Sequence, residues 1–410
     1  MITRLHVQRY KALRDLCVAF EPLTVVVGPN GCGKTSVLEA IEMVREFAVH
    51  PHDELGQHYV FDELCSRRAG PSHPIEVSLA IGVDDSDKEY VKELWESVST
   101  GVASRPTSLE RIAAAIGAST NERPSVATDE LRATAILRPQ DPTLTSSTFE
   151  FAPARAGRNR GDLVDQYVRS IHRMALDVAA IAGPSHLPDT IPRVRGDGGG
   201  LATVLNWLLG ERDERFDEIE NQLREFIPEI RRIRTRRVQI RAMESANVKV
   251  GVDDEGRDLF SKRPFQREEL GHQVLIDYEH AEGVPASHAS EGTLLLLGIL
   301  TTVHTNNASV LLIDDIERGL HPKTQQQIVS YLNKIAEGGT QVIATSHSPY
   351  LLLHLGYEQV RAMTFAGAEG SKIGKLSEHP EFEQWKQEMS PSEFWTVFGE
   401  SWLQERRADG

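Results

Sequence analysis

The chain has 410 residues, 40% of them hydrophobic and 26% charged, with a net charge of −15; this is an ordinary globular balance with enough apolar positions for a sizeable core. Three cysteines, Cys17, Cys32 and Cys65, none at C-x-x-C spacing, exclude a disulfide scaffold, a zinc finger and a zinc hook and suit a reducing cytoplasm. The N-terminus lacks the apolar core of a signal peptide, no run reaches membrane-spanning length, and the acidic excess argues against wrapping long nucleic acid while leaving room for a local basic patch.

Length alone suggests two or three structural units. Residues 2–10 (ITRLHVQRY) alternate apolar and polar side chains, and residues 22–28 (PLTVVVG) form a β-branched run ending at glycine, so both read as strands. Residues 35–49 carry apolar side chains at helical spacing, and residues 75–83 (IEVSLAIGV) read as a further strand. The composition then changes. Residues 87–98 and 108–117 read as exposed helices separated by polar Ser/Thr/Pro/Asn segments, and residues 161–182 read as helical. After the break at 196–200 (GDGGG), helices are expected over 201–209 and over 214–226, the second ending ahead of Pro228. Two short strands are expected at 246–254 and 272–280.

From Ser290 the pattern tightens again: apolar helix 292–303, buried strand 309–315, helix 322–336 opening with proline, strand 338–347 and short helix 348–355. Strand–helix–strand alternation in both flanks implies a mostly parallel sheet. The expected organisation is one domain in two halves, 1–83 and 286–365, around an inserted region 84–285 and followed by a tail 366–410.

Gly28-Pro29-Asn30-Gly31-Cys32-Gly33-Lys34-Thr35, followed by Ser36, fits G-x-x-x-x-G-K-[ST] between a strand and a helix. The glycines let successive backbone N–H groups turn inward on a phosphate, and the following helix adds its positive dipole end. Lys34 then neutralises the outer phosphates, and the Thr35 hydroxyl is a ligand for Mg²⁺. Asp314 and Asp315 end the apolar strand 309–315; Asp314 is the candidate Mg²⁺ partner and Asp315 the candidate for orienting the attacking water. His347 ends the next strand and is a candidate for contacting the terminal phosphate or that water. Ser290-Glu291-Gly292-Thr293 is either an anion site at a helix N-terminus or a plain N-cap.

Set in this order, LHVQRYKALRDL…VVVGPNGCGKTSVLEAI, SEGTLLLL, LLIDDIERGLHP and TSHSPYLL resemble the opening strands and Walker A, signature, Walker B with D-loop, and H-loop of the ATP-binding-cassette heads of the RecF/SMC/OLD group. The likeness covers about 1–83 and 286–365, and the GLHP wording points to the OLD-like branch. It implies an α/β fold: an ABC-ATPase head with a mostly parallel sheet, an N-terminal antiparallel β subdomain and an inserted helical region.

It further implies ATP and Mg²⁺ as ligands and a head-to-tail homodimer, or a higher oligomer. Each nucleotide would lie on Lys34 and Thr35 of one chain and meet Ser290 and Gly292 of the other. Asp315 stands where many such ATPases have Glu, so slow turnover is expected, with Glu317 as the alternative carboxylate. Gln57 is the weak candidate for the Q-loop glutamine. The segment after Thr364 is too short for the Toprim nuclease of OLD proteins, so the head is expected to gate a separate effector, a nuclease or toxin, in anti-phage defence. A RecF-like repair factor binding DNA directly, and an ATP-stabilised scaffold, are the alternatives.

Two secondary signals remain. Arg231, Arg232, Arg234, Arg236, Arg237 and Arg241 alternate around Ile233, Val238 and Ile240, which suggests a strand with one basic face for nucleic acid or an acidic partner, or a solvated face paired with neighbouring acids. Lys11 and Arg14 near the first turn are candidates for reaching nucleotide or DNA. Phe394, Trp395, Phe398 and Trp402 lie at helical spacing in the tail, for docking on the parent domain or on an effector.

Overall fold

The computed structural model describes residues 1–49, 64–65, 74–82, 130–138, 146–152, 165–252 and 258–405. The helices expected at 87–98 and 108–117 and the glutamine Gln57 lie outside the described residues. In chain order the strands are β1 Ile2–Tyr10, β2 Leu13–Ala19, β3 Leu23–Val27, β4 Ile75–Gly82, β5 Glu130–Arg138, β6 Ser146–Ala152, β7 Ile171–Met174, β8 Ile230–Val252, β9 Asp258–Tyr278, β10 Ala281–Pro285, β11 Val310–Ile313, β12 Gln341–Ser346, β13 Val360–Phe365 and β14 Ser371–Lys375. The chain divides into two compact units: Met1–Arg173 with Ala308–Glu317 and Pro322–Gly410, and Met174–Asn307 with Arg318–His321.

The first unit holds an antiparallel sheet of order β2-β1-β4-β5-β6 and a six-stranded sheet of order β14-β13-β3-β12-β11-β7. Strands β13, β3, β12 and β11 run parallel. Every residue of β3, β11 and β12 is buried, as a parallel strand covered on both faces requires. Helix α1, Lys34–Val49, turns Val37, Leu38, Ile41, Val44 and Phe47 inward, where they join one core with Ile2, Leu5 and Val7 of β1, Val26 of β3 and Val310 of β11. The parallel strands and α1 therefore fix where the Gly-rich loop between them must lie.

In the second unit, helices α2 Val178–Ala182, α3 Leu201–Glu211, α4 Glu214–Phe226 and α5 Glu291–Thr305 accompany the sheet β10-β9-β8. Residues 292 to 302 of α5 are all buried; a helix apolar around its whole circumference belongs in an interior. Asp213 caps α4 by accepting from the Arg215 N–H at 3.0 Å, and its bond to the Arg215 guanidinium pulls its carboxyl down to about 2.

Three expectations need correction. Residues 161–182 are not one helix: β7 interrupts them and forms the edge of the six-stranded sheet beside β11. The two short strands expected at 246–254 and 272–280 belong to one long hairpin, β8 paired antiparallel with β9 from Ile230↔Tyr278 to Val252↔Asp258. A ribbon pairs its own backbone groups and needs no apolar stripe along its length, so periodicity under-reads it.

Nor do the arginines share one basic face. Alternation sets Arg232, Arg234 and Arg236 on one side and Arg237 on the other, while a register shift between Ile230 and Arg232 interrupts the pattern beside Arg231. Arg234 pairs with Asp277 at 2.5 Å and Arg236 bonds Gln273.

The tail contributes β14 to the central sheet. Helix Pro391–Phe398 buries Phe394, which lies 5.1 Å ring to ring from His379, with Trp402 5.3 Å from the same imidazole. These tail aromatics dock on their own unit.

Candidate functional site

The loop between β3 and α1 is shaped by glycine. Gly31 and Gly33 have φ of 77° and 104°, the left-handed side that L side chains avoid. At Gly28 the reason is proximity: a Cβ would stand 2.1 Å from the Met363 carbonyl of β13. Ser371 of β14 donates to the Cys32 carbonyl at 2.7 Å, so the C-terminal strand pair braces the loop from behind. Cys32 is buried, which pushes its thiol up. Asn30, Gly31 and Thr35 are exposed and Ser36 is half-buried.

Lys34 is 5% exposed. Its ammonium donates to the Gly28 and Pro29 carbonyls at 2.9 and 3.0 Å and lies 3.4 Å from His347 Nδ1. An ammonium has only protons to give, so Nδ1 accepts and the ring proton sits on Nε2. That Nε2 lies 3.5 Å from Asp315 Oδ1, and His347 thus stands between Lys34 and Asp315.

Strand β12 lies directly beside β3, and β11 is the next strand out. The carboxylates ending β11 consequently face the loop across the end of β12. Asp314 Oδ1 accepts from Thr35 Oγ1 at 3.2 Å and from Thr345 Oγ1 at 2.6 Å. Thr345, fully buried, also accepts from the Asp315 N–H at 2.9 Å. Asp315 has φ of 45°, a conformation that short polar Asp tolerates better than most side chains. Glu317 accepts from the His347 N–H, and its other oxygen is buried without a hydrogen-bond partner among the described residues.

The sequence-predicted loop, the acids and His347 therefore meet in one place within the first unit. Three residues were missed. Thr345 was read only as part of a strand. Arg173 lay inside the segment read as helix, although the short I-x-x-M run at 171–174 was its signal. Glu42 of α1 bonds Arg173 at 2.6 Å; an acid two turns after the loop carries no motif. Lys11 pairs with Glu39 at 2.5 Å.

The remaining predicted set lies in the second unit. Ser290 caps α5, accepting from the Thr293 N–H at 3.2 Å and lying 2.7 Å from the Thr293 hydroxyl. Ser290 and Glu291 are exposed; Gly292 and Thr293 are buried. Gly292 packs so closely that a Cβ would stand 2.5 Å from the Gly319 carbonyl, and Glu291 pairs with Arg318 at 2.7 Å.

Hydroxyl and carboxylate oxygens converging beside a Gly-rich loop suit a hard dication sharing its shell with phosphate. Among the described residues no cluster of three or more His, Cys, Asp or Glu could hold a metal by itself, and Thr35 with Asp314 fits magnesium as a nucleotide-borne ion. Also among the described residues, no helix is long and apolar enough to cross a membrane.

The fold and this loop have the form of a P-loop domain. Residues 184–353 match the family described as "AAA domain, putative AbiEii toxin, Type IV TA system", and residues 1–96 match the family described as "AAA ATPase domain". Over 44 residues the chain is 48% identical to an OLD nuclease of Thermus scotoductus; the stretch is 11% of this chain and 8% of that nuclease. Two solved folds are similar across most of the chain. One is an Smc head bound to the C-winged helix domain of ScpA (12% identity, TM-score 0.51, 93% of this chain and 99% of that one). The other is an Smc head domain with an extended coiled coil bound to the C-terminal domain of ScpA, derived from Pyrococcus furiosus (11% identity, TM-score 0.54, 94% and 99%). These findings support an ABC/SMC/OLD-like ATPase.

Proposed function

We propose that the chain binds ATP with Mg²⁺ on residues 30–36 and Asp314, hydrolyses it slowly, and works as a cytoplasmic head that pairs with a second copy to gate a separate effector, a nuclease or toxin, in prokaryotic anti-phage defence. The observation that carries the nucleotide reading is the 3.2 Å link between the Thr35 hydroxyl and Asp314 beside the buried Lys34 ammonium.

In this reading Lys34 exchanges the Gly28 and Pro29 carbonyls for phosphate oxygens, while the loop N–H groups and the N-terminus of α1 hold the triphosphate. Thr35 and Asp314 hold the dication, which supplies charge neutralisation at the phosphates. Asp315 orients the attacking water, and His347 Nε2–H steadies that carboxylate. Glu317 holds the strand end by accepting from the His347 N–H. A short side chain at φ of 45° reaches less far than glutamate would, which supports slow turnover.

Ser290, Glu291, Gly292 and Thr293 are proposed to meet the partner's nucleotide. The exposure of Ser290 at the start of α5 supports this. Phosphate release by wild type against Asp315→Asn, with mass measured with and without nucleotide, tests hydrolysis and pairing. Equal phosphate release from both proteins would remove Asp315 from its role. Co-purification with a neighbour-encoded protein tests the gating.

A second reading has one observation in its favour: Arg231, Arg232, Arg236 and Arg237 are exposed on the β8 hairpin. They suit a nucleic-acid backbone and hence a RecF-like role. Phosphate release stimulated by DNA without any partner protein would select it.

A further inference from the structure

Three carboxylates converge on one guanidinium. Arg173, 15% exposed at the sheet-edge strand β7, donates from Nη1 to Glu42 Oε2 at 2.6 Å. Its Nη2 lies 3.9 Å from Glu39 Oε1 and 3.8 Å from Asp314 Oδ2. Glu39 and Glu42 are three apart on α1 and so share a face, and Lys11 holds the other oxygen of Glu39. The contact to Asp314 is ion-pair range, longer than a hydrogen bond. Arg173 Nε is buried and has no hydrogen-bond partner among the described residues.

Asp314 is thus divided. Its Oδ1 takes the hydroxyls of Thr35 and Thr345, and its Oδ2 faces a fixed cation. A dication drawn to Thr35 and Asp314 arrives beside that cation, and two like charges a few ångströms apart oppose each other strongly where water is scarce. We propose that Arg173 is a positioning residue that competes with the metal for Asp314, held back from it by Glu42, so that Glu42 and Arg173 together set the metal affinity of the site. The inference rests on the nucleotide reading above and adds to it a residue pair on β7 and α1 that no motif contains.

The opposing signs of two substitutions test it. Full-length protein saturated with ADP is titrated with Mn²⁺ and the free ion is read by electron paramagnetic resonance. Arg173→Met removes the competitor, and Mn²⁺ should bind about tenfold tighter. Glu42→Gln releases the guanidinium onto Asp314, and Mn²⁺ should bind several-fold weaker. With Arg173→Met already present, Glu42→Gln should change little, as coupling between the two requires. Arg173→Lys should stay near wild type.

Unchanged or weaker Mn²⁺ binding by Arg173→Met overturns the inference, as does an equal Glu42→Gln effect in both backgrounds. Should Arg173→Met not fold, Glu42→Gln alone decides, because tighter or unchanged Mn²⁺ binding there contradicts the mechanism. Wild type that binds neither ADP nor Mn²⁺ with ADP would sink the nucleotide reading itself, an outcome distinct from failure of the arginine pair.

Discussion

Replacing Thr345 by valine isolates a single hydroxyl. The side chain is fully buried and valine matches its shape, so packing is preserved. Two bonds go: the 2.6 Å donation to Asp314 and the 2.9 Å acceptance from the Asp315 N–H. A hydrogen bond to a carboxylate contributes about 1.5–3 kcal/mol, and a buried N–H left without an acceptor costs about 1–3 kcal/mol. Some of this is recovered because valine is more apolar, which leaves about 2–4 kcal/mol of lost stability in the first unit. Asp314 also loses the partner that fixes its rotamer, and Mg²⁺-dependent nucleotide affinity should fall about tenfold, or ~1.4 kcal/mol. Scanning calorimetry reads the first quantity and titration calorimetry with ADP, with and without Mg²⁺, reads the second. Thr345→Ser keeps the hydroxyl and should lie within about 1 kcal/mol of wild type on both. A valine protein as stable as the serine one, with the same metal dependence, would refute the role given to this hydroxyl.

Gly28→Ala pushes a methyl to 2.1 Å from the Met363 carbonyl and should cost about 3 kcal/mol with loss of nucleotide binding. Gly31→Ala, with open space around it and φ of 77°, should cost only about 1–2 kcal/mol, and thermal melts compare the two. Burial holds the His379 imidazole below its ordinary range, and its Nδ1 accepts from the Glu381 N–H at 3.0 Å. Below pH ~6.5 the unfolded chain binds the proton first, so stability present above that pH is lost as pH falls toward the lowered folded value. Trp402 fluorescence followed from pH 8 to pH 5 should report the tail loosening, and His379→Phe should flatten the profile; identical profiles would remove His379 as the cause.

The strand–loop–helix at the N-terminus and the strand ending in Asp314 and Asp315 were legible because several levels agree there. β-Branched runs, glycines and helical spacing point to one arrangement, and the observed β3, α1, β11 and β12 follow it. What was hidden depended on long-range pairing. The first hairpin was expected, but the bounds of β2 were not legible, because Lys11 turns the chain with φ of 49° and carries no Asn-Gly signal. The β8–β9 ribbon is held by backbone pairing between distant residues, from Ile230↔Tyr278 to Val252↔Asp258, which no local period in either strand announces. β7 is four residues long and is a strand only because β11 lies beside it. Arg173 was invisible for that reason, since its neighbours come from α1 and from the end of β11, more than a hundred residues away in either direction. For Ser290, cap and anion site look alike in sequence; the structure shows the cap satisfied on a residue that is itself exposed.

The central claim is that the loop from Gly28 to Thr35 holds an adenine nucleotide through Lys34. Titration calorimetry of the full chain with Mg·ATP, beside Lys34→Ala, addresses it directly. The account predicts a saturable isotherm of one nucleotide per chain for wild type and none for the variant. A wild type that releases no heat and shows no thermal shift with ATP, or a Lys34→Ala protein that binds as tightly, would contradict it.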